Sequence, residues 1–368
     1  MKVLHIHSGN MFGGVERFLV TLAATPVPGM NTAIALAYEG QLTDELPATG
    51  IDVHRLPTPR HRNPWSVHRA RRALHELLRE HRPDVVVCHA PWALALFGPV
   101  VRRHRVPLVF WMHGTVTGRH WLERRARRAV PDLTITNSAY TQASLAGLFP
   151  DGPSTVIRYP VAPPTDVQPR SAVRQELGTD PETVAIVQVS RLEPWKGQHL
   201  LIEALARIRT HTPWSAWMAG GAQAPAEQRY LLQLHSRVNA LGLAARVRFL
   251  GHRRDVAGIL SAADIFCQPN TGPEPFGITF VEALYAGLPV VTTGYGGAAE
   301  IVADGAGVVV PTGDPDVLAG ALRNLVDDPA ARAAARSTAK ERARELCDPV
   351  IQVERIRDTL AQLVNGAS

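Results

Sequence analysis

Along the chain, short runs rich in Val, Ile, Leu and Thr alternate with longer segments whose apolar residues recur at helical spacing. The short runs suit strands buried on both faces, and the longer segments suit amphipathic helices laid over them. Residues 3–7, 32–37, 84–88, 108–112 and 133–136 read as strands. Between them, 15–24, 66–80, 120–129 and 140–149 read as helices. A stretch punctuated by Pro160, Pro163, Pro164 and Pro169 follows, and then the alternation restarts. Strands are expected at 184–189, 215–219, 247–250, 265–268 and 290–292, with helices at 198–209, 227–241, 256–262 and 278–286. The end, from Asp314 to about Val364, reads as helical with a break at Pro349. This rhythm builds parallel sheets covered by helices. The expected fold class is α/β, with two Rossmann-like parallel-sheet domains. Residues 1–165, completed by a C-terminal helix over 350–368, form the first, and 166–349 the second. Ligands of open α/β sheets bind outside the carboxyl ends of the strands, so a cleft between the domains is the default site.

Composition narrows the class. The 368 residues are 45% hydrophobic and 20% charged, which excludes long-range disorder and collagen-like repeats. Cys88, Cys267 and Cys347 are scattered and form no C-x-x-C pair, which argues against a zinc site or a disulfide framework and fits a reducing cytoplasm. The apolar run at the N-terminus is too short for a signal peptide. The most apolar stretch, 85–101, contains His89, Pro91, Gly98 and Pro99 and falls short of the ~20 residues that span a bilayer. Net charge is +6, and Lys2, Lys196 and Lys340 are the only lysines among 39 basic residues. Lys196 therefore stands out.

Five segments carry candidate chemistry. Ser8-Gly9-Asn10-Met11-Phe12-Gly13-Gly14-Val15-Glu16 joins a strand to a helix, and Gly13 and Gly14 let a ligand approach the backbone near a helix N-terminus. It is not G-x-G-x-x-G, and no G-x-x-x-x-G-K-[ST] occurs, so dinucleotide oxidation and P-loop chemistry lose their main support. Ser190-Arg191-Leu192-Glu193-Pro194-Trp195-Lys196-Gly197 follows a buried strand. Arg binds phosphate bidentately and Lys acts as a point charge, a pairing that suits a diphosphate. In the segment 271–283, Glu274 lies in a Pro/Gly loop and Glu282 about one turn inside the next helix. Carboxylates suit sugar hydroxyls, and the free amides around Phe276, Gly277 and Ile278 suit a phosphate. A glycosidase-type carboxylate pair is the rival reading of the two glutamates. Gly294-Tyr295-Gly296-Gly297 is a second glycine turn between strand and helix. His113, directly after the strand 108–112, is placed to meet a hydroxyl, although a lone His is more often structural.

In this order the segments resemble the retaining glycosyltransferases of family 4, which have the two-domain GT-B fold. The resemblance covers essentially the whole chain and rests most on S-R-x4-K-G at 190–197 and E-P-F-G with the second glutamate at 274–282. It implies transfer of a sugar from a nucleotide diphosphate donor, UDP being the commonest, to a hydroxyl acceptor with retained anomeric configuration. It implies that Arg191 and Lys196 bind the diphosphate, that Glu282 holds the ribose hydroxyls, and that Glu274 and the amides of Phe276, Gly277 and Ile278 lie at the donor sugar. Gly13 and Gly14 would approach from the other domain, His113 would touch the sugar, and Gly251-His252-Arg253 would border the base. No metal or cofactor is implied, because the basic pair and helix N-termini take over the electrostatic work. The family's His is often followed by Asp; here Gly114 follows. Two other readings share the fold: a sugar-nucleotide 2-epimerase and a non-catalytic sugar-nucleotide-binding regulator. The acceptor is not named by sequence, though loops 57–65 and 115–121 are candidates to bind it. Glycan, lipid-linked sugar and secondary-metabolite aglycone all stay open.

The charge is unevenly spread. From Arg55 to Arg128 there are sixteen arginines against Glu76, Glu80, Asp84 and Glu123, a local +12. This raises peripheral contact with an anionic membrane, or with an acidic acceptor, by a cytoplasmic protein at the inner membrane face. The alternative, a solvated helix whose stripe of Val67, Ala70, Leu74, Leu77 and Leu78 packs on its own sheet, is preferred. No nucleic-acid reader module accompanies the charge.

Overall fold

The computed structural model describes residues 1–10, 13–60, 62–165, 167–303 and 305–366. Met11, Phe12 and His61, which fall in two of the segments singled out by sequence, and Ala367–Ser368 of the expected C-terminal helix lie outside them. The chain divides into two compact units, residues 1–162 with 347–368, and residues 163–346.

The first unit is built on a seven-stranded sheet: β1 Lys2–His7, β2 Asn31–Leu36, β3 Asp52–Arg55, β4 Val85–His89, β5 Leu108–Met112, β6 Leu133–Thr136 and β7 Ser154–Val156. Its order is β3-β2-β1-β4-β5-β6-β7, with every pair parallel. The second unit holds a six-stranded parallel sheet: β8 Val184–Val189, β9 Trp214–Ala219, β10 Val247–Gly251, β11 Ile265–Gln268, β12 Val290–Thr293 and β13 Gly307–Val310. Its order is β10-β9-β8-β11-β12-β13. Both orders are doubly wound. The chain reverses direction across the sheet between β1 and β4, and again between β8 and β11, and crevices for ligands form at such points.

The central strands are sealed on both faces: every residue of β4, β5, β8, β9, β11 and β12 is buried. That is why their apolar runs are legible. Three strands escaped the hydrophobic pattern. Asp52–Arg55 (β3), Ser154–Val156 (β7) and Gly307–Val310 (β13) lie at sheet edges and bury few side chains.

The helix Ala90–Arg103 also went unread in the sequence, although it lies in the most apolar stretch and contains Pro91, Gly98 and Pro99. Pro91 sits in the first turn, where no intrahelical N–H is needed. Gly98 passes so close to Ala129 that a Cβ would stand 2.7 Å from the alanine's own. Several helices are shorter than expected. Gln198–Leu205 stops before Arg209, Trp121–Ala126 replaces 120–129, and Ala139–Ser144 replaces 140–149.

The helical end has two breaks: Pro315–Asp327, Pro329–Cys347 and Pro349–Gly366 follow one another. Asp314 caps the first of these by accepting from the amides of Asp316 and Val317. The helix Pro64–His81 is capped by Asn63, and its Ala70, Leu74 and Leu78 are buried in the core of the first unit.

Candidate functional site

In the second unit, the candidate residues gather at the carboxyl ends of β8, β11 and β12. After β8 the chain makes a single 3-10 turn, Pro194–Lys196, and enters the helix Gln198–Leu205 through Gly197. Gly197 has φ +75°, and a Cβ there would stand 1.9 Å from the carbonyl oxygen of Pro269. Only glycine permits this contact, and the contact lays the Lys196 loop against the end of β11. Gln188 fastens the loop by donating to the Lys196 carbonyl at 2.8 Å, and Gln198 by donating to the Arg191 carbonyl at 2.7 Å.

Lys196 then reaches Glu274, and the two form an ion pair with little solvent exposure. The Lys196 ammonium also lies 4.0 Å from the centroid of the Trp195 ring. Gln268, at the end of β11, donates to Glu274 Oε2 at 3.4 Å and to Asn270 at 3.0 Å. Gly296 completes the wall: with φ +105° it pairs with Glu274 as an isolated parallel bridge, and a Cβ there would collide with the Glu274 carbonyl at 2.4 Å. The amide of Gly297 donates to that carbonyl at 2.7 Å. Glu274 is therefore held by both flanking strands' loops, with its carboxylate toward Lys196.

Gly277 caps the helix Ile278–Tyr285, in which Glu282 is the fifth residue and partly buried. The side chains of Phe276 and Ile278 are buried, so their backbone amides are what they offer a ligand. Arg191 stands half exposed and pairs with Glu193 at 3.1 Å rather than joining Lys196 and Glu274. Arg253 is committed elsewhere. Its guanidinium donates to both carboxylate oxygens of Asp255, at 2.8 and 2.6 Å, and to Glu176 at 2.6 Å. These bonds push its pKa further up and hold Asp255 below the usual carboxylate range. A ligand at this position would meet a guanidinium with three of its five donors already engaged by carboxylates.

The first unit places a second group at the carboxyl ends of β1, β4 and β5. Gly13 caps the helix Gly14–Ala23. Its amide donates to Glu16 at 2.9 Å, and the other Glu16 oxygen bonds His7 Nε2 at 2.7 Å. Gly13 has extended φ and ample room, since a Cβ would meet only Glu16 at 3.6 Å. His113 is less open than sequence suggested. Its Nε2 bonds His89 Nδ1 at 2.8 Å and its Nδ1 bonds the Tyr159 hydroxyl at 2.5 Å. A sugar hydroxyl would reach a ring nitrogen only by replacing one of these partners. Asn137, immediately after β6, donates to the His113 carbonyl at 3.1 Å and to the Tyr159 hydroxyl at 3.0 Å. Burial holds the pKa of His113 well below its ordinary value, so the ring is neutral at physiological pH.

Gln188, Gln268 and Asn270 in the second unit, and His7, Glu16, His89, Asn137 and Tyr159 in the first, were missed by sequence reasoning. The available signal was positional: His7, His89 and His113 each end or directly follow a buried strand. Among the described residues, no group of three or more His, Cys, Asp and Glu is arranged to hold a metal ion.

Comparison with known proteins decides the family. The family described as glycosyl transferases group 1 matches residues 169–342, and glycosyltransferase family 4 matches residues 12–163. A GDP-mannose-dependent monoacylated alpha-(1-6)-phosphatidylinositol monomannoside mannosyltransferase of Corynebacterium glutamicum is 31% identical over 352 residues, covering 88% of this chain and 87% of its own. The chain belongs to the group 1 glycosyltransferases. A GDP-mannose-dependent alpha-(1-6)-phosphatidylinositol monomannoside mannosyltransferase of Mycolicibacterium smegmatis is 33% identical over 287 residues, or 72% of each chain. Among solved structures, Anabaena HepE in complex with UDP and glucose superposes with a TM-score of 0.84 at 29% identity, covering 98% of this chain and 100% of HepE. The two parallel-sheet domains of this glycosyltransferase are those of the GT-B fold.

Proposed function

We propose that this glycosyltransferase moves a hexosyl group, with retention, from a UDP- or GDP-linked donor to a hydroxyl acceptor. The observation that carries the reading is the Lys196–Glu274 pair at the β8–β11 reversal, beside Arg191 and the amides that start the Ile278–Tyr285 helix. A diphosphate would draw Lys196 from Glu274 and free that carboxylate for the sugar hydroxyls. Arg191, half exposed beside the same loop, would swing from Glu193 to the second phosphate. Glu282, inside the helix, suits the ribose diol. In the reaction the bond from the anomeric carbon to the diphosphate oxygen breaks. The acceptor oxygen bonds that carbon on the same face, and the acceptor's proton passes to the departing phosphate. No cofactor takes part in this scheme. Solved relatives with UDP and curated relatives named for GDP-mannose support the two donor classes equally. A second proposal concerns the Arg-rich segment of the first unit, which would adsorb to an anionic membrane by charge.

Lys196→Ala tests the reading. Removing a cation that stabilises a leaving group costs about 10²–10³-fold in kcat. Because the change also leaves the buried Glu274 carboxylate without its cation, the melting temperature should fall as well, and kcat is read at a temperature where the variant stays folded. A donor panel of UDP-glucose, UDP-galactose, GDP-mannose and ADP-glucose, scored by thermal shift and acceptor-dependent nucleotide release, identifies the nucleotide. An inverted product anomer overturns retention. Acceptor-free interconversion of donors marks a 2-epimerase, and binding without turnover marks a regulator.

A further inference from the structure

A row of hydrogen-bonded rings runs through the first unit. His5 Nδ1 bonds His89 Nε2 at 2.9 Å, His89 Nδ1 bonds His113 Nε2 at 2.8 Å, and His113 Nδ1 bonds the Tyr159 hydroxyl. The rings are nearly coplanar, with interplanar angles of 23° and 9°. They come from β1, from the last residue of β4 and from the residue after β5, neighbours in the sheet order. Apart from His5 Nε2, each ring nitrogen in the row faces another ring nitrogen or the phenol, so each bond needs one proton and no more. Two arrangements satisfy all the bonds: every histidine carries its proton on Nδ1, or every histidine carries it on Nε2.

The far end of the row is sealed. His5 is fully buried, and its Nε2 has no hydrogen-bond partner among the described residues. Switching from one arrangement to the other requires His5 to exchange a proton through that buried atom, which no described residue reaches. No described residue therefore continues the row beyond His5, and the row is built to hold one arrangement. Adding a proton is no easier. The groups that face the row are His7, Tyr159 and Glu16, and Glu16 is already engaged by His7 and by the Gly13 amide. Burial accordingly keeps the three rings neutral.

We propose that His89, itself bonded to His5, is a positioning residue that holds His113 in a single fixed tautomer. His113 then acts on the substrate as a hydrogen-bonding ring and not as an acid or base. Its action on substrate rests on the glycosyltransferase reading above; the tautomer lock does not.

Nitrogen-15 imidazole spectra of the full chain test the lock without any substrate. His5, His89 and His113 should share one tautomer, show scalar coupling across both N–H···N bonds, and take up no proton from pH 8 to pH 5.5. Mixed tautomers, missing couplings, or a His113 that titrates near 6.5 would overturn it. In His89→Phe, the coupling to His113 should vanish and His113 should show both tautomers, while burial still keeps it from taking up a proton. In His5→Phe, which spares the His89–His113 bond and serves if His89→Phe fails to fold, the buried His89 Nε2 becomes the sealed end, so His89 and His113 should still share one tautomer, and mixed tautomers there would overturn the lock. The kinetic arm uses the donor that the panel identifies. Wild-type kcat/KM should be flat between pH 6 and pH 8. That of His89→Phe should be lower at every pH and equally flat, because His113 stays buried, and His89→Gln, which keeps a donor and an acceptor, should restore it. A wild-type kcat/KM in His89→Phe, or no rescue by His89→Gln, would refute the positioning role. Absence of transfer from every donor would refute the activity and leave the spectra to decide the lock.

Discussion

Single residues carry two different kinds of information here. Lys196 and Glu274 were legible because their signals are local: a lysine in an arginine-dominated chain, and a glutamate in a Pro/Gly loop before a helix. The structure adds that they bind each other. The histidine row was illegible, because His5, His89, His113 and Tyr159 are brought together only by parallel strand order, which no local window contains. The row carries a stability consequence. Burial pushes His5 down to about 3 and His89 and His113 well below their ordinary 6.5. In the unfolded chain all three protonate as pH falls through 6.5, while in the folded chain they stay neutral. The folded state thus keeps its full advantage above pH 6.5 and loses it progressively as pH falls toward the folded values. Each group contributes a slope approaching about 1.4 kcal/mol per pH unit. The denaturant midpoint of the first unit should therefore drop between pH 7 and pH 5, with a shallower drop in His5→Phe. Equal slopes in the two proteins would show that His5 is not among the groups responsible.

At the scale of elements, central strands announced themselves and edge strands did not. A strand such as β4 buries every side chain and reads as an apolar run, whereas β3, with Asp52 and Arg55 exposed, has no such pattern to read. The helix Ala90–Arg103 was hidden for a different reason: its proline is real, and a residue from another helix compensates for it. Pro99 has no N–H to give the Ala95 carbonyl. Arg71, on the helix Pro64–His81, donates to that carbonyl at 3.5 Å and to the Leu96 carbonyl at 2.8 Å. No sequence window links Arg71 to Pro99. Leaving buried carbonyls without this donor costs about 1–3 kcal/mol. Arg71→Ala should lower the melting temperature of the first unit by several degrees. Pro99→Ala should recover part of the loss, because it restores the helix's own donor to Ala95. Strict additivity of the two substitutions in thermal unfolding would mean that Arg71 acts independently of the proline.

For the whole molecule, the average charge conceals its distribution. The stretch from Arg55 to Arg128 carries +12 by sequence, twice the +6 of the full chain. The structure limits how this charge can be used. The apolar stripe of the helix Pro64–His81 is spent on its own core, and no helix among the described residues is long and apolar enough to cross a membrane. Insertion of the stripe is thus excluded as the means of attachment. Among the arginines that stay exposed are Arg69, Arg72 and Arg79 on that helix, and Arg124, Arg125, Arg127 and Arg128 around the second cluster. Trp65 at 79% exposure and Trp121 at 44% each open one of these helices. Basic side chains near an anionic leaflet contribute about 1 kcal/mol each and are screened within a Debye length of roughly 10 Å at 0.1 M salt. Adsorption driven this way should be strong on vesicles rich in phosphatidylglycerol at 0.02 M salt, largely lost by 0.5 M, and absent on neutral phosphatidylcholine. Replacing Arg124, Arg125, Arg127 and Arg128 by Gln should weaken co-flotation at least tenfold, while Trp65→Ala should weaken it less and leave the salt dependence intact. Binding that survives 0.5 M salt would point to an apolar contact, and no flotation at 0.02 M salt would leave these arginines to solvent or to an acidic acceptor.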